Sequence, residues 1–188
     1  EGLINLIRGG RNPYTIKVAD IAKSADVGKG TIYDYFCSKE EAISRAILYY
    51  VDCEIKSAYH RLESKKSFKE KFYELLLIIK DSFEDNLSVY NILISTGRVK
   101  EFYDHLTDIE YDISKLINVV NDVINSLIDV GIEEEIINID RDSYYLSMAM
   151  RGSIAGFSYY ISKREIYNEI SLDEAMDVAY EILLKTLN

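Results

Sequence analysis

Residues that break secondary structure are scarce in this chain, and their scarcity limits the folds that it can adopt. The 188 residues include one proline and nine glycines, whereas an all-β protein needs turn residues about every 8–12 positions. Hydrophobic residues make up 48% of the chain, which is enough for a sizeable core and excludes general disorder. We therefore expect an all-α protein of about nine helices, several of them long.

Four S/T-x-x-E sequences predict where longer helices begin. In such a capping box, a hydroxyl and a carboxylate three residues apart satisfy free backbone N–H groups at the helix N-terminus. Apolar residues at helical spacing follow the boxes. We expect the last two helices over about residues 142–161 and 172–187. The four boxes pair Ser38 with Glu41, Ser67 with Glu70, Thr107 with Glu110, and Ser171 with Glu174.

Apolar run lengths and cysteine count exclude several classes of protein. The longest apolar runs, such as residues 75–79, are far shorter than the roughly 18 residues needed to span a bilayer. No signal-peptide pattern opens the chain. Cys37 and Cys53 belong to no CxxC or Cys/His cluster, so neither a disulfide framework nor a zinc site is expected. We expect a soluble, cytoplasmic protein without a metal or cofactor.

Charge is distributed unevenly along the chain. The net charge of −10 argues against general coating of nucleic acid by the whole molecule. Residues 1–45 contain seven Lys/Arg and six Asp/Glu, whereas residues 46–188 contain fifteen and twenty-six. A near-neutral head followed by an acidic body indicates two surfaces with different partners.

Two short helices joined by a tight turn are predicted within the near-neutral head. The first covers residues 18–22, the turn covers residues 25–28, and the second helix runs from about Lys29 to Tyr35. Small and aliphatic residues, Ala22, Ala25 and Val27, are expected to pack the pair together. This arrangement ahead of a long helical body is typical of helix-turn-helix DNA binding, in which the second helix enters the major groove.

The sequence of this segment, VADIAKSADVGKGTIYDYFCSKEE, closely resembles the DNA-binding segment of TetR-family transcriptional regulators. The resemblance covers about 30 residues, and the rest of the chain matches the family in layout alone. It implies a sequence-specific DNA-binding regulator, in most of the family a repressor. The matching residues are Asp20-Ile21-Ala22, Val27, Lys29-Gly30-Thr31, Tyr33, Phe36 and Ser38-Lys39-Glu40.

Roles at the DNA follow from the resemblance, position by position. Tyr33 and Lys39 match phosphate contacts, and Lys17 stands where a phosphate-contacting threonine is frequent. The start of the second helix would meet bases and phosphates, and Tyr35 would touch backbone or base methyls. Asp34 is a candidate for sequence specificity, because a carboxylate accepts from a cytosine amine and repels phosphate. The predicted DNA contacts are Lys17, Lys29, Gly30, Thr31, Tyr33, Asp34, Tyr35 and Lys39.

Three positions depart from the family pattern. Asp26 stands where glycine is common, but aspartate tolerates a left-handed backbone, so the turn should survive. Gly28 replaces a common serine and lacks a hydroxyl that could bond phosphate. Cys37 replaces a proline or polar residue. None of these changes breaks the motif, and together they suggest weaker DNA affinity.

The resemblance also divides the chain into a DNA-binding domain, residues 1–45, and a regulatory and dimerisation domain, residues 46–188. In the family the last two helices pair across a two-fold axis, and such a dimer would read a pseudo-palindromic operator. Small residues at 152–156 would allow close approach of a partner helix, or would serve packing within the chain. The predicted dimer residues are Gly152, Ser153, Gly156, Tyr160, Met176 and Leu183.

Family members usually hold a small-molecule effector between the middle helices, and its binding releases DNA. Polar or aromatic residues on otherwise apolar helices are candidates for lining such a cavity. The sixteen tyrosines and the acidic body favour an aromatic, cationic or amphipathic effector. Each candidate taken singly is more often a surface or structural residue. The predicted effector contacts are His60, Tyr90, Phe102, Tyr103, His105 and Arg151.

Two other functions compete with that of a regulator. An enzyme is not expected, because His60 and His105 have no nucleophile or metal-ligand partner at recognisable spacing. A helical interaction or scaffolding protein that has lost DNA binding is the alternative, favoured by the net negative charge and by Asp26 and Gly28. A basic N-terminal arm preceding residue 1 could add minor-groove contacts.

Overall fold

The computed structural model describes residues 1–9, 11, 15–84, 113–137 and 140–188, and the regular structure within these ranges is helical. The prediction of an all-α fold is confirmed. Eight helices lie in the described ranges: α1 (Gly2–Arg8), α2 (Val18–Ser24), α3 (Lys29–Tyr35), α4 (Lys39–Glu63), α5 (Phe68–Glu84), α6 (Ile113–Glu133), α7 (Ser143–Ser162) and α8 (Leu172–Leu187).

The capping boxes mark helix starts as predicted. Before α5, the Ser67 hydroxyl accepts from the Glu70 N–H at 3.2 Å, and the Glu70 carboxylate accepts from the Ser67 N–H at 3.1 Å. These hydrogen bonds hold the pKa of Glu70 below its ordinary value. Before α8, the Ser171 hydroxyl accepts from the Glu174 N–H at 3.1 Å. The Thr107 box lies outside the described residues.

The chain divides into two compact units, and the division falls inside the 25-residue helix α4. The first unit contains Glu1–Lys56 and the second contains Ser57–Phe83 and Asn118–Asn188. The domain boundary expected between residues 45 and 46 lies in the same helix and stays a prediction.

An apolar core holds the first unit together. It joins α1, α2, α3 and the first half of α4 around Ile16, which is 1% exposed. Each aliphatic side chain that is fully buried stabilises the unit by about 1.5–3 kcal/mol. The seven-residue helices α1, α2 and α3 depend on this core, because isolated helices so short are not stable in water. The buried members are Leu3, Ile4, Ile7, Ile16, Ile21, Ala22, Ile32, Ile43, Ile47, Tyr50 and Val51.

A larger core, formed by α5 to α8, fills the second unit. Phe68, Phe72 and Leu76 of α5 are fully buried, as are Leu183 and Leu187 of α8. Helices α7 and α8 pack against each other, and the buried Ser153 hydroxyl donates to the Ala179 carbonyl at 2.6 Å. Apolar residues that recur at helical spacing on these helices therefore pack within the chain.

The turn after α6 helps to start α5. Both carboxylate oxygens of Glu134 accept from the Phe68 N–H, each at 3.1 Å. A negative charge at this end of α5 also complements the helix dipole. The acidic run at residues 133–135 thus contributes a long-range cap that its sequence did not reveal.

A cluster of charges fixes the end of α4 to α5 in the second unit. The Arg61 guanidinium donates to Glu74 at 2.6 Å and to Asp81 at 2.9 Å. Lys65 lies 3.2 Å from the other oxygen of Glu74, and Lys80 lies 3.1 Å from Asp81. Glu74 is only 8% exposed, so its charge needs these partners. Desolvation raises the pKa of Glu74, but the hydrogen bonds and charges of Arg61 and Lys65 outweigh it and leave the pKa below its ordinary value.

We predict that replacing Glu74 with glutamine weakens the fold at pH 7 and removes part of its acid sensitivity. The lowered pKa means that ionised Glu74 stabilises the fold above its unfolded pKa of about 4.3, and that this contribution is lost as pH falls through the folded pKa. Losing the charged hydrogen bonds should cost about 1–3 kcal/mol of unfolding free energy at pH 7. Urea denaturation between pH 7 and pH 3 should show the two stabilities converging below about pH 4.

Glu63→Gln is the matched control, because Glu63 is exposed and takes part in none of the ion pairs of this cluster. Its denaturation curve should follow the wild type at every pH. A constant difference between Glu74→Gln and wild type down to pH 3 would contradict the prediction.

Candidate nucleic-acid interface

The turn between α2 and α3 has the backbone that the sequence predicts. Asp26 adopts φ 54°, in the left-handed region that aspartate tolerates and most residues avoid. The Val27 N–H donates to the Ala22 carbonyl at 2.9 Å, which ends α2. Gly28 is extended and stands at the N-cap of α3 without a side chain to cap it. The expectation that Asp26 preserves the turn is confirmed.

The helix pair is held by fewer side chains than expected. Ile21 and Ala22 of α2 and Ile32 of α3 are buried in the first core. The prediction that Ala25 and Val27 also pack inward is wrong, since both are exposed and Val27 keeps 39% of its surface. The left-handed residue at position 26 reverses the chain, so its neighbours stay at the surface. Phe36 is partly buried and packs against the same core.

Helix α1 approaches the end of α2 closely at Gly2. A Cβ on Gly2 would lie 2.6 Å from the Ala25 nitrogen and 2.8 Å from its Cα. The Ser24 hydroxyl donates to the Gly2 carbonyl at 2.9 Å. Because the neighbouring atoms are backbone, only glycine fits at this contact. No sequence pattern indicates such a contact in advance.

Helix α3 presents nearly all its polar side chains to solvent. Lys29, Gly30 and Asp34 are exposed and Thr31 is half-buried. Tyr33 and Tyr35 are 56% and 77% exposed, which is unusual for large aromatic side chains. Because only one of the seven residues of α3 is buried, most of the surface of this helix is accessible to a partner.

Two further predicted DNA contacts flank this helix. Lys17 is exposed at the N-cap of α2. Lys39 is the first residue of α4, where the Ser38 hydroxyl accepts from the Glu41 N–H at 3.0 Å. The Glu41 carboxylate accepts from the Cys37 N–H at 2.6 Å. In a standard capping box the carboxylate would accept from the N–H of the N-cap residue, here Ser38. All eight predicted DNA contacts thus belong to the first unit.

One cation of the first unit was missed by the sequence reasoning. Arg11 lies before α2, and its guanidinium is 3.1 Å from the Asp20 carboxylate. Both groups are largely exposed, so the pair adds little stability. No pattern distinguishes this arginine in the sequence, because the ion pair joins residues on different elements.

The predicted effector residues do not come together in the described structure. Tyr90, Phe102, Tyr103 and His105 lie outside the described residues. His60 is exposed on α4. Arg151 bridges α7 to α6 by donating to Asn121 at 2.6 Å, and it also donates to Ser147 at 3.2 Å. These contacts give Arg151 a structural role within the second unit.

A groove of about 440 Å³ opens in the second unit, and its described lining includes neither His60 nor Arg151. Its walls come from the end of α4, from α5 and from α6. Lys71 lies in the groove wall and donates to the Leu62 carbonyl at 2.8 Å. The lining residues are Tyr59, Leu62, Glu63, Lys71, Val123, Ser126 and Leu127.

The predicted dimer residues fall into two groups. Ser153, Tyr160, Met176 and Leu183 are buried within the core of the second unit. Gly152 and Gly156 are exposed on α7, and a Cβ at either would meet nothing within 4 Å. Large apolar side chains that the sequence reasoning missed are half-exposed on the same two helices. These side chains are Met148, Tyr159, Val178 and Ile182.

The geometry of the first unit defines the class of this protein: a helix-turn-helix DNA-binding protein with a helical body. The family model of "Bacterial regulatory proteins, tetR family" matches residues 11–50, which contain both helices and the turn. The match confirms the resemblance seen in the sequence over these residues, and the chain is a DNA-binding transcriptional regulator. A comparison with curated proteins found no match.

Solved structures of several regulators share the fold at low sequence identity. FadR from Bacillus subtilis, in complex with stearoyl-CoA, is 18% identical with a TM-score of 0.57, over 100% of this chain and 95% of that one. FadR from Bacillus halodurans is 15% identical with a TM-score of 0.53, over 100% and 91%. The ketosteroid regulator KstR2 of Mycobacterium tuberculosis is 17% identical with a TM-score of 0.50, over 98% and 91%.

None of the described helices is long and apolar enough to cross a membrane.

We predict that replacing Gly30 with alanine stabilises the protein but weakens DNA binding. A Cβ at Gly30 would meet nothing within 4 Å, and alanine favours a helix over glycine by about 0.5–1 kcal/mol. The added methyl group would stand between the exposed backbone of α3 and the DNA. Urea denaturation and fluorescence anisotropy with duplex DNA should therefore change in opposite directions.

Gly28→Ser provides the contrasting variant. A serine Cβ there would lie 3.6 Å from the Thr31 hydroxyl, so it fits, and its hydroxyl can cap α3 for a few tenths of a kcal/mol. Its DNA affinity should hold or rise. Undiminished DNA affinity in Gly30→Ala would show that the helix backbone does not approach DNA at this residue.

Proposed function

We propose that the protein is a homodimeric repressor of the bacterial cytoplasm that binds a pseudo-palindromic operator and releases it when a small molecule binds the helical body. The observation that carries the DNA part is the exposed α3 on a helix-turn-helix that matches the tetR family model over residues 11–50. In this proposal residues 1–45 read DNA, and residues 46–188 dimerise and bind the effector. The protein is not an enzyme.

Two kinds of DNA contact are assigned to the exposed and half-buried residues of the first unit. Cations and phenols at the rim of α3 would hold phosphates and set its position, whereas residues facing the base edges would set the sequence. Lys17, Lys29, Tyr33 and Lys39 are assigned to phosphates. Gly30 allows close approach of the backbone, Thr31 and Asp34 are assigned to bases, and Tyr35 to backbone or base methyls.

The homodimer is supported by exposed apolar strips on α7 and α8. On α7, Met148 is 50% and Tyr159 is 56% exposed, and they share a helix face with Gly152 and Gly156. On α8, Val178 and Ile182 are 49% and 53% exposed at a spacing of four residues. Such strips on neighbouring helices are suited to an isologous helix-to-helix contact, with the glycines allowing close approach. The buried Ser153, Tyr160, Met176 and Leu183 would support this face from behind.

The effector site is assigned to the second unit. The groove between α4, α5 and α6 combines an aromatic ring, Tyr59, an aliphatic wall and the cation of Lys71. The lining also contains the Glu63 carboxylate, so an amphipathic molecule with a polar group suits this groove. FadR from B. subtilis was solved in complex with stearoyl-CoA, and KstR2 is described as a ketosteroid regulator. An effector releases DNA only if it favours one arrangement of the DNA-reading heads over another.

The primary test is selection of binding sites from a random duplex library with the purified protein at moderate salt. Enrichment of a two-fold symmetric motif supports a dimeric sequence reader. If a folded, dimeric protein enriches no motif, both before and after refolding to remove bound ligand, the interaction or scaffolding protein becomes the better description.

We predict that Lys39→Ala weakens binding to all duplexes by a similar factor and lowers the salt dependence of binding. Each phosphate contact that is lost should reduce the slope of log affinity against log salt by about 0.9. Fluorescence anisotropy titrations over a series of salt concentrations measure this slope. Lys66→Ala, at an exposed lysine of the second unit, should leave the slope unchanged. An unaltered slope in Lys39→Ala excludes the phosphate contact.

We predict that Ile182→Glu converts the dimer to a monomer that retains its fold. The new carboxylate would be desolvated beside a symmetry-related copy of itself, which opposes association by several kcal/mol. Analytical ultracentrifugation measures the mass, and circular dichroism checks the helix content. Val120→Glu is the control, because Val120 is 37% exposed on α6 and belongs to neither of the exposed strips on α7 and α8. A dimeric Ile182→Glu protein would contradict the assigned face.

A further inference from the structure

The solvent-facing side of α3 has a definite centre, and Asp34 lies there. Ile32 is 8% exposed and marks the side that faces the core. With about 100° of rotation per residue, Gly30 and Asp34 each lie about 160° from Ile32 around the helix. Thr31 and Tyr33 lie about 100° from it, on opposite sides. Among the side chains of α3, that of Asp34 therefore points most directly away from the buried Ile32.

Gly30 leaves the space next to Asp34 open. The two residues are one turn apart on the same face, and a Cβ at Gly30 would meet nothing within 4 Å. Side chains on a helix lean toward its N-terminus, so Asp34 extends over the first turn, which is the part of a recognition helix that meets base edges. The carboxylate is exposed and has no hydrogen-bond or ion-pair partner in the described part of the chain.

The neighbours of Asp34 on α3 indicate whether its carboxylate would face a phosphate or a base. A carboxylate near the rim of the major groove would be repelled by phosphates. With α3 in the major groove, as proposed, the centre of its exposed face would point to the groove floor, away from the phosphates of both strands. Lys29 and Tyr33 on one side, and Thr31 and Tyr35 on the other, are placed toward the two rims. Two base groups donate on the groove floor, the N4 amine of cytosine and the N6 amine of adenine. The adenine amine lies beside the N7 acceptor, which repels a carboxylate, so the cytosine amine is the favoured partner.

We infer that Asp34 reads a cytosine in each half-site of the operator by accepting a hydrogen bond from its N4 amine. This inference rests on the proposed DNA-binding function and adds to it a specific base and the residue that selects it. Each half-site contains a C·G pair that the protein distinguishes from the other three pairs by at least about fivefold. The remaining positions of the half-site are set by other contacts.

The test repeats the library selection with wild type, Asp34→Asn and Asp34→Ala. Asparagine pairs with adenine N6 and N7 in the major groove, so Asp34→Asn should replace cytosine by adenine at one position of each half-site and leave the rest of the motif unchanged. Asp34→Ala should lose the preference at that position. Binding of each variant to duplexes with the four possible pairs there should confirm a change of at least about fivefold.

Asp26→Asn is the matched control, because it removes the same charge from an exposed residue of the same unit and asparagine also tolerates a positive φ. Its motif should equal that of the wild type. If wild type enriches a symmetric motif that Asp34→Asn and Asp34→Ala leave unchanged, the inference is overturned and the DNA-binding function stands. If folded wild-type dimer enriches no motif, the proposed function fails, and this inference fails with it.

Discussion

The DNA-reading surface depends on one constraint, the burial of a few aliphatic side chains beneath two helices too short to persist alone. Helices α2 and α3 have seven residues each, and only Ile21, Ala22 and Ile32 of their side chains are fully buried. Formation of the first hydrogen-bonded turn of a helix is costly, and seven residues recover little of that cost. The orientation of the exposed face is therefore set by the core beneath it, to which α1 and α4 contribute most of the apolar surface.

The local features of this surface could be predicted from sequence because each has a local physical cause. The limits of α3 follow from Gly28 before it and the SKE capping sequence after it, and the left-handed turn follows from the tolerance of Asp26. The all-helical class follows from the scarcity of breakers. Ala25 and Val27 were misplaced because their apolar character suggested burial, whereas the reversal of the chain at Asp26 keeps them at the surface.

Long-range features could not be predicted in the same way. Helices α7 and α8 have apolar residues on more than one side, and periodicity does not tell which side packs within the chain. The structure turns Ser153, Met176 and Leu183 inward, while Met148 and Ile182 stay exposed. The ion cluster at Arg61 and the cap from Glu134 join residues 13 to 66 positions apart. Lone polar residues such as Arg151 looked like ligand contacts because their partners in space were unknown.

The loose attachment of α3 has a consequence for how DNA is recognised. With glycine at its N-cap, a second glycine in its first turn and one fully buried side chain, α3 has a small free energy of local opening compared with the helices of the second core. Its amide protons should exchange with solvent sooner than those of α5 or α8. Part of α3 would then become ordered only on binding DNA. The free-energy cost of this ordering lowers the affinity for every sequence equally and permits fast dissociation. A regulator that must leave its operator promptly gains from such a helix, because the contact is specific without being long-lived.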